Sequence, residues 1–426
     1  MTSLNSLSAV EAARQLSERR ISAEALVGAC LERIEEREPI VGAWTFLDRH
    51  LVLSQARDLD RGPIRGLLHG LPIGVKDIFD THDMPTEYGS PIYKGHRPAA
   101  DAAIVGVTRA TGGIVLGKTV TTEFATFPPG KTRNPHNPEH TPGGSSSGSA
   151  AGVADFMMPL AFGTQTAGSV IRPASYCGVV GYKPTYNVLA RGGIKMGSDT
   201  LDTVGVFGRS VADAAFFVAA LTRRPELVIG EELHSTPRIG LCRTYEWAKT
   251  LPEMASAMDR AASLLSKAGA RVSEIMLPPL YAGMAAAQTT IMRYDGSVNR
   301  SDEMLRHADK LHPRLAQLCR QGLEIGGAEY ERAQSLARQC RDRLPEAFGA
   351  FDVLLVPAAP GEAPAGLEST GDPIMNSVWT LLHTPCVSLT ASRGPNGLPV
   401  GLQAVGRIGE DARTLAVADW IERRLR

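Results

Sequence analysis

The chain lacks several features that would at once assign it to a common class of protein. Its 426 residues carry 45 basic and 45 acidic side chains, so no net charge favours nucleic acid or an anionic membrane. No apolar run reaches the length of a bilayer-spanning helix, and the N-terminal stretch has no apolar signal core. We therefore expect neither a nucleic-acid partner nor a membrane partner.

Cysteine is scarce and scattered. The six cysteines form no C-x-x-C pair, which disfavours both a metal site and a disulfide framework. They lie at positions Cys30, Cys177, Cys242, Cys319, Cys340 and Cys386. We expect free thiols, no bound metal and a location in the reducing cytoplasm.

What the chain does have is a region of unusual composition between Thr141 and Thr185. Glycine and serine dominate this region, and an apolar run from Phe156 to Phe162 separates two clusters of hydroxyl side chains. A flexible linker would not be interrupted by a strand of the core. Small residues allow backbone N–H groups to crowd around a ligand, so the region indicates a nucleophile site.

Strands alternate with helices along the rest of the chain, which predicts a three-layer α/β/α sandwich. Ser8 and Glu11 form a capping box, and Ser22 can cap a second helix. A late hairpin, 387–390 with 401–405, makes the predicted sheet mixed, although mostly parallel. We expect a single domain over residues 1–426, with N-terminal helices in 1–60 and a helical, cap-like substrate segment in 281–348.

One segment, Gly112–Thr119, satisfies the Walker A pattern G-x-x-x-x-G-K-[ST]. A phosphate-binding loop must follow a strand and precede a helix, whereas here the middle of the motif favours a strand and the preceding residues favour a helix. We interpret Lys118 as a solvated lysine at the end of a strand. Nucleotide binding at this segment remains the alternative from a different class of function.

A second segment, Gly144–Gly148, matches the nucleophile elbow G-x-S-x-G. The elbow needs a strand directly before it, but a proline-rich loop precedes this one. A Ser-His-Asp enzyme would also need a downstream histidine in a loop suited to catalysis, and none of the candidates lies in one. Those candidates are His234, His307, His312 and His383.

A third interpretation joins Lys76, Ser145 and Ser169. Amide hydrolysis needs a nucleophile, a base, an acid for the departing nitrogen and donors for the oxyanion. A buried lysine can serve as the base because desolvation penalises its ammonium form, and Lys76 ends an apolar strand. The glycine-containing turn before Ser169 could present successive amides as an oxyanion nest.

With these residues the chain resembles the amidase signature family, the Ser-cisSer-Lys hydrolases. The resemblance runs from the N-terminal helices to Gln403 and combines motifs that are weak singly but specific together. They are Gly70–Asp77, Thr119–Phe124, Pro142–Ser149, Gly163–Arg172, Cys177–Gly178, Gly181–Pro184 and Gly397–Gln403.

The resemblance implies a role for each matching residue. Ser169 would be the acylated nucleophile, Ser145 the bridging serine held in a cis peptide, and Lys76 the base. Backbone amides of Thr166, Ala167, Gly168 and Ser169 would form the oxyanion hole, with Gly144 and Ser146 beside the substrate and Ser146 hydrogen-bonded near Lys76. The family needs no cofactor or metal, acts on small-molecule amides, and suggests a homodimer.

Departures from the family pattern bear on the substrate. Ala167 adds a methyl group within the oxyanion turn, whereas Gln165 and the placement of Arg172 look like malonamidase, in which that arginine recognises a substrate carboxylate. This favours a small amide bearing an acid, while a bracing role for Arg172 and a function like that of the tRNA-dependent amidotransferase remain the alternatives. We expect the acyl pocket within 120–130, 281–300 and 375–385. The candidate residues there are Arg293, Tyr294, Trp379 and His383.

Overall fold

The centre of the molecule is one long β-sheet. The computed structural model describes residues 3–230, 233 and 235–425. Its strands are β1 (Trp44–Phe46), β2 (Pro72–Lys76), β3 (Ile114–Thr119), β4 (Leu160–Gln165), β5 (Val180–Lys183), β6 (Thr203–Gly208), β7 (Arg238–Cys242), β8 (Arg271–Ile275), β9 (Val353–Pro357), β10 (Cys386–Arg393) and β11 (Pro399–Val405). In these described residues their order is β1-β3-β2-β4-β6-β5-β10-β11-β9-β7-β8.

The sheet is mixed, as predicted. Parallel pairing joins β2 to β3 and β4, and joins β7 to β8 and β9. The neighbours β1–β3, β4–β6, β5–β6, β5–β10, β10–β11 and β9–β11 are antiparallel. The expectation of a mostly parallel sheet is therefore wrong, because β5, β6 and the predicted hairpin β10–β11 together bring antiparallel neighbours into its middle.

Helices cover the sheet to give the predicted α/β/α sandwich. They are α1 (Ala9–Ser17), α2 (Ala23–Val41), α3 (Arg49–Arg61), α4 (Ala103–Ala110), α5 (Ser147–Ala154), α6 (Ile171–Cys177), α7 (Val211–Thr222), α8 (Pro252–Lys267), α9 (Met284–Val298), α10 (Ser301–Arg306), α11 (Pro313–Leu323), α12 (Gly327–Asp342), α13 (Leu344–Phe348), α14 (Ile374–Leu381) and α15 (Asp411–Leu425). Ser8 and Ser22 cap α1 and α2, each accepting a backbone N–H at 3.1 Å. In the described ranges, no helix is both long and apolar enough for a bilayer crossing.

The segment 281–348 is helical, as the sequence predicts. It contains α9 to α13, and α9 packs against α11, α12 and α14. An apolar cluster that includes Ile291, Ala337 and Trp379 joins these helices. The segment thereby forms one packed unit, whose relation to the site is described below.

The Walker-like segment Gly112–Thr119 is a core strand and not a loop. Residues 114–119 form β3, which is buried along its whole length. The interpretation of Lys118 as solvated is wrong, because its side chain is fully buried. Its Nζ lies 3.0 Å from Asp77 Oδ1 and donates a hydrogen bond to the Phe79 carbonyl at 2.9 Å. Because strand pairing occupies this backbone, it offers no cradle for phosphate, and nucleotide binding here is not supported.

Candidate active site

Lys76 and Ser145 meet in the interior of the protein. Lys76 is the last residue of β2 and has no exposed surface. Its Nζ donates to Ser145 Oγ at 2.7 Å and to Thr164 Oγ1 at 2.9 Å. Burial disfavours the ammonium and lowers the pKa of Lys76 to about 7, although the Asp202 carboxylate acts in the opposite direction. A lysine in this setting can be a neutral base at physiological pH.

Ser145 belongs to the loop that leads into α5. The peptide bond between Gly144 and Ser145 is cis, the conformation that the resemblance implies for the bridging serine. Ser146 Oγ does not contact Lys76. It lies 3.4 Å from both the N and the O of Thr164, the residue whose hydroxyl accepts from Lys76. The second serine of the loop therefore fixes the backbone beside the lysine.

Ser169 lies in the turn between β4 and α6 and lines a cavity of about 260 Å³. Gln165 shapes this turn, because its Oε1 accepts the backbone N–H groups of Val170 and Ile171 at 2.9 and 3.0 Å. The N–H groups of all four predicted oxyanion residues, Thr166, Ala167, Gly168 and Ser169, donate to no protein acceptor in the described residues. Free amides in a fixed turn are the donors that an oxyanion requires.

Three side chains that the sequence did not indicate hold the same turn from outside. Thr380 Oγ1 donates to the Ala167 carbonyl at 2.7 Å, and Gln288 Nε2 donates to the Thr166 carbonyl at 3.0 Å. Asp202 accepts from the Thr166 hydroxyl. The three lie far from the turn along the chain and in no shared motif, so no signal in the sequence could have identified them.

Arg172 links the two serine clusters. Its Nη2 donates to the Gly144 carbonyl at 2.7 Å and to Thr370 Oγ1 at 3.0 Å. The side chain is 4% exposed and lines the same cavity as Ser169. Its Nε and Nη1 have no partner among the described residues, and burial lowers its pKa. Arg172 therefore braces the loop before Ser145 and still has donors for a ligand.

The cavity wall agrees in part with the predicted pocket segments. Residues 125–127 line it, as do Thr289, Arg293 and their neighbours on α9. Arg293 was a predicted lining residue, whereas Tyr294, Trp379 and His383 are not among the lining residues and Trp379 is fully buried in the core. The prediction that 375–385 lines the cavity is wrong. The chain lines it just before α14 instead, at residues 370, 371 and 373. Helix α11, which lies inside the predicted substrate segment 281–348, also lines the cavity.

The histidine alternative finds no support in the described residues. His383 Nε2 lies 2.8 Å from the Thr200 carbonyl, and His312 Nδ1 accepts from the backbone of Arg314. His307 makes no hydrogen bond with its side chain to either serine cluster, and His234 lies outside the described residues. Ser145 instead has a lysine as its partner.

Comparisons with known proteins identify the family and the fold of the chain. The family model "Amidase" matches residues 25–415. The A subunit of glutamyl-tRNA(Gln) amidotransferase from Acidothermus cellulolyticus is 33% identical over 480 residues, covering 99% of this chain and 95% of that protein. A solved amidase structure superposes with a TM-score of 0.89 at 30% identity, covering 98% of this chain and all of the other. Peptide amidase from Stenotrophomonas maltophilia gives a TM-score of 0.85 at 28% identity, with 98% and 97% covered.

Proposed function

This chain belongs to the amidase family, and from that premise we propose that it cleaves the C–N bond of a carboxylic amide through an acyl-serine at Ser169. The observation that carries the proposal is the buried contact between Lys76 and Ser145, in a site whose neighbouring turn presents Ser169 to a cavity. A lysine with a pKa of about 7 supplies a base where the described site has no imidazole.

In the proposed first step, Ser169 Oγ attacks the amide carbonyl carbon. Its proton passes to Ser145 Oγ as the proton of Ser145 passes to the neutral Lys76 amine. The carbonyl oxygen becomes an oxyanion, which the amides of the 166–169 turn can stabilise. The proton then returns by way of Ser145 to the amide nitrogen, the C–N bond breaks, and ammonia or an amine leaves.

In the second half of the reaction, water attacks the ester formed with Ser169. Lys76 and Ser145 take up the proton of the water, and the same amides receive the negative charge. Collapse of this intermediate breaks the ester bond, returns the proton to Ser169 Oγ and releases the carboxylic acid. The residues thereby return to their starting states, so one site serves both halves.

We assign Arg172 as the group that binds an acid on the substrate. Two of its nitrogens, Nε and Nη1, have no partner in the described residues, and it lies three residues after Ser169 in sequence. A guanidinium matches a carboxylate in shape and charge. The substrate is thus a small amide bearing a carboxylate, in keeping with the resemblance to malonamidase, which stays a prediction.

A second candidate is favoured by the names of several relatives. The A subunit of glutamyl-tRNA(Gln) amidotransferase occurs repeatedly among proteins 29–33% identical to this chain. In that case the released nitrogen would pass to an acceptor, and the chain would act as one part of a larger assembly. The same residues would perform the amide cleavage, so the two candidates differ in the fate of ammonia and the need for partners.

The experiment measures ammonia released by the purified chain from short amides with and without a terminal acid. We expect release from acidic amides without any partner protein, none from Ser169→Ala, and a selective loss on acidic amides for Arg172→Met. Equal losses on both sets of amides would contradict the assignment of Arg172. Activity that appears only after partner subunits are added would favour the amidotransferase candidate. The homodimer, the cytoplasmic location and the single domain over 1–426 stay predictions.

A further inference from the structure

Four arginines line the cavity next to Ser169, and none of the described residues that line it is acidic. They are Arg172, Arg293, Arg300 and Arg314. None of them takes part in an ion pair within the described part of the chain. A concave site with charges of one sign concentrates ligands of the opposite sign.

Arg300, which follows the end of α9, is one of the buried arginines of the cavity wall. It is 4% exposed, its two terminal nitrogens donate to backbone carbonyls and to Thr126 Oγ1, and its Nε has no partner. The three carboxylates that act on it electrostatically are bound to other donors. Glu303 pairs with Lys195, Asp202 accepts backbone N–H groups of the 197–198 turn, and Glu123 accepts from Ser90. These carboxylates still partly offset the positive charge of Arg300, so it supports the wall and leaves ligand binding to the exposed arginines.

Arg293 and Arg314 are the exposed members. Arg293 lies on α9 on the helical face that also brings Thr289 and Gly296 to the cavity. The Arg314 guanidinium lies 4.4 Å from the centre of the Phe127 ring. An aromatic ring at this distance attracts the cation without using its N–H groups, which can still donate to a carboxylate.

The rest of this wall combines apolar side chains with the hydroxyl groups of Thr289 and Ser297. Met292 on α9 and Leu315 and Leu318 on α11 line the cavity alongside the two exposed arginines. Carbon chains bind well to the apolar part of this surface. The wall therefore suits a ligand whose charged end is joined to the reacting amide by methylene groups.

We propose that the substrate carries two acidic groups: one bound by Arg172 near the reacting amide, and a second carboxylate bound by Arg293 and Arg314 on the α9–α11 wall. This inference rests on the proposed function for its chemistry. It goes beyond that function by adding a second anion subsite, built from helices that do not carry Ser169.

The kinetic test compares matched amides that bear one or two carboxylates, using the wild type and the double variant Arg293→Gln/Arg314→Gln. We expect the double variant to raise KM for the two-acid amide by about 10-fold or more, with kcat nearly unchanged, since removing each charge-assisted hydrogen bond weakens binding. KM for the one-acid amide should be almost unaffected. Arg320→Gln is the matched control, because Arg320 is an exposed arginine of α11 that does not line the cavity.

A binding experiment separates the failure of this inference from failure of the proposed function. Calorimetric titration of Ser169→Ala with glutarate and with pentanoate needs no turnover. Glutarate should bind more tightly, and the Arg293→Gln/Arg314→Gln change should remove the difference. Equal affinity for both acids in the Ser169→Ala background would overturn the proposal of a second subsite, even if ammonia release succeeds. An equal loss of affinity for both acids in the double variant would overturn it as well. If glutarate is preferred but no amide is cleaved, the second subsite stands and the proposed function fails.

Discussion

The Asp202 carboxylate accepts a hydrogen bond from the Thr166 hydroxyl, at the start of the turn that presents Ser169. Its second oxygen accepts the N–H groups of Gly197 and Ser198 at 2.6 and 3.2 Å. Asp202 is also the charge that opposes the burial effect on Lys76. One buried side chain thus acts on both the nucleophile turn and the base.

Replacing Asp202 with Asn tests this double connection. Loss of the negative charge removes the influence that raises the pKa of Lys76, so the acidic limb of the pH–rate profile should move to lower pH. Loss of hydrogen bonds to a charged acceptor should also lower the plateau rate by about 10-fold. The measurement is kcat/KM against pH for Asp202→Asn and for Asp199→Asn, an exposed neighbour that serves as control. An unmoved limb would contradict the link to Lys76.

Gly168 should tolerate no side chain, whereas Ala167 should accept the loss of its own. A Cβ at position 168 would collide with Asn376 Oδ1 and come within 3.1 Å of Pro373 Cβ. Asn376 is fully buried and donates to the Ala358 carbonyl at 3.0 Å, so it cannot simply move away. Gly168→Ala should displace the oxyanion donors and reduce kcat by about 10²–10³.

Ala167→Gly is the matched variant for that experiment. Ala167 lines the cavity, and the Thr380 hydroxyl holds its carbonyl and not its methyl group. We expect kcat within about threefold of the wild type, because the free amide stays in place. Similar rates for Gly168→Ala and the wild type would contradict an oxyanion role for this turn.

Lys118 should prove important for stability and not for nucleotide binding. Removing one partner of a buried ion pair leaves an uncompensated charge, so Lys118→Met should lower the free energy of unfolding by about 3–5 kcal/mol. Urea denaturation measures this loss, and the double variant Asp77→Asn/Lys118→Met should recover part of it. The wild type should gain no stability from ATP with Mg²⁺. A rise in its melting temperature with the nucleotide would contradict the assignment of β3 as a core strand.

Local patterns predicted much of the fold. Ser8 and Ser22 cap their helices, and the late hairpin forms as β10–β11, because capping and turn signals depend on neighbours in sequence. The direction of the other strand pairs did not follow from such signals. Strands β4 and β6 are separated by α6 and β5, so their antiparallel pairing depends on the packing of the whole sheet.

Local sequence patterns likewise predicted some residues of the candidate site and not others. Ser145 and Ser169 were indicated by the glycine- and serine-rich motifs around them and Lys76 by its place at the end of an apolar strand, and the structure brings Lys76 and Ser145 into contact. Thr164 accepts from Lys76 within one of those motifs, but a threonine in a strand is ordinary and attracted no attention. Asp202 could not be predicted because its partners meet only after folding. Lys118 was misjudged since burial of a strand end is invisible in the local sequence.

The most direct test of the account is the rate at which phenylmethanesulfonyl fluoride labels Ser169 as a function of pH. Labelling needs the nucleophile and its base but no known substrate, and mass spectrometry identifies the modified residue. Because only the neutral amine can accept a proton, the rate should rise with pH to a plateau, with a midpoint at about 7, the pKa of Lys76. Lys76→Met should abolish this rise and nearly all labelling. Labelling of Ser169 in Lys76→Met at the wild-type rate would contradict the central claim that Lys76 is the base.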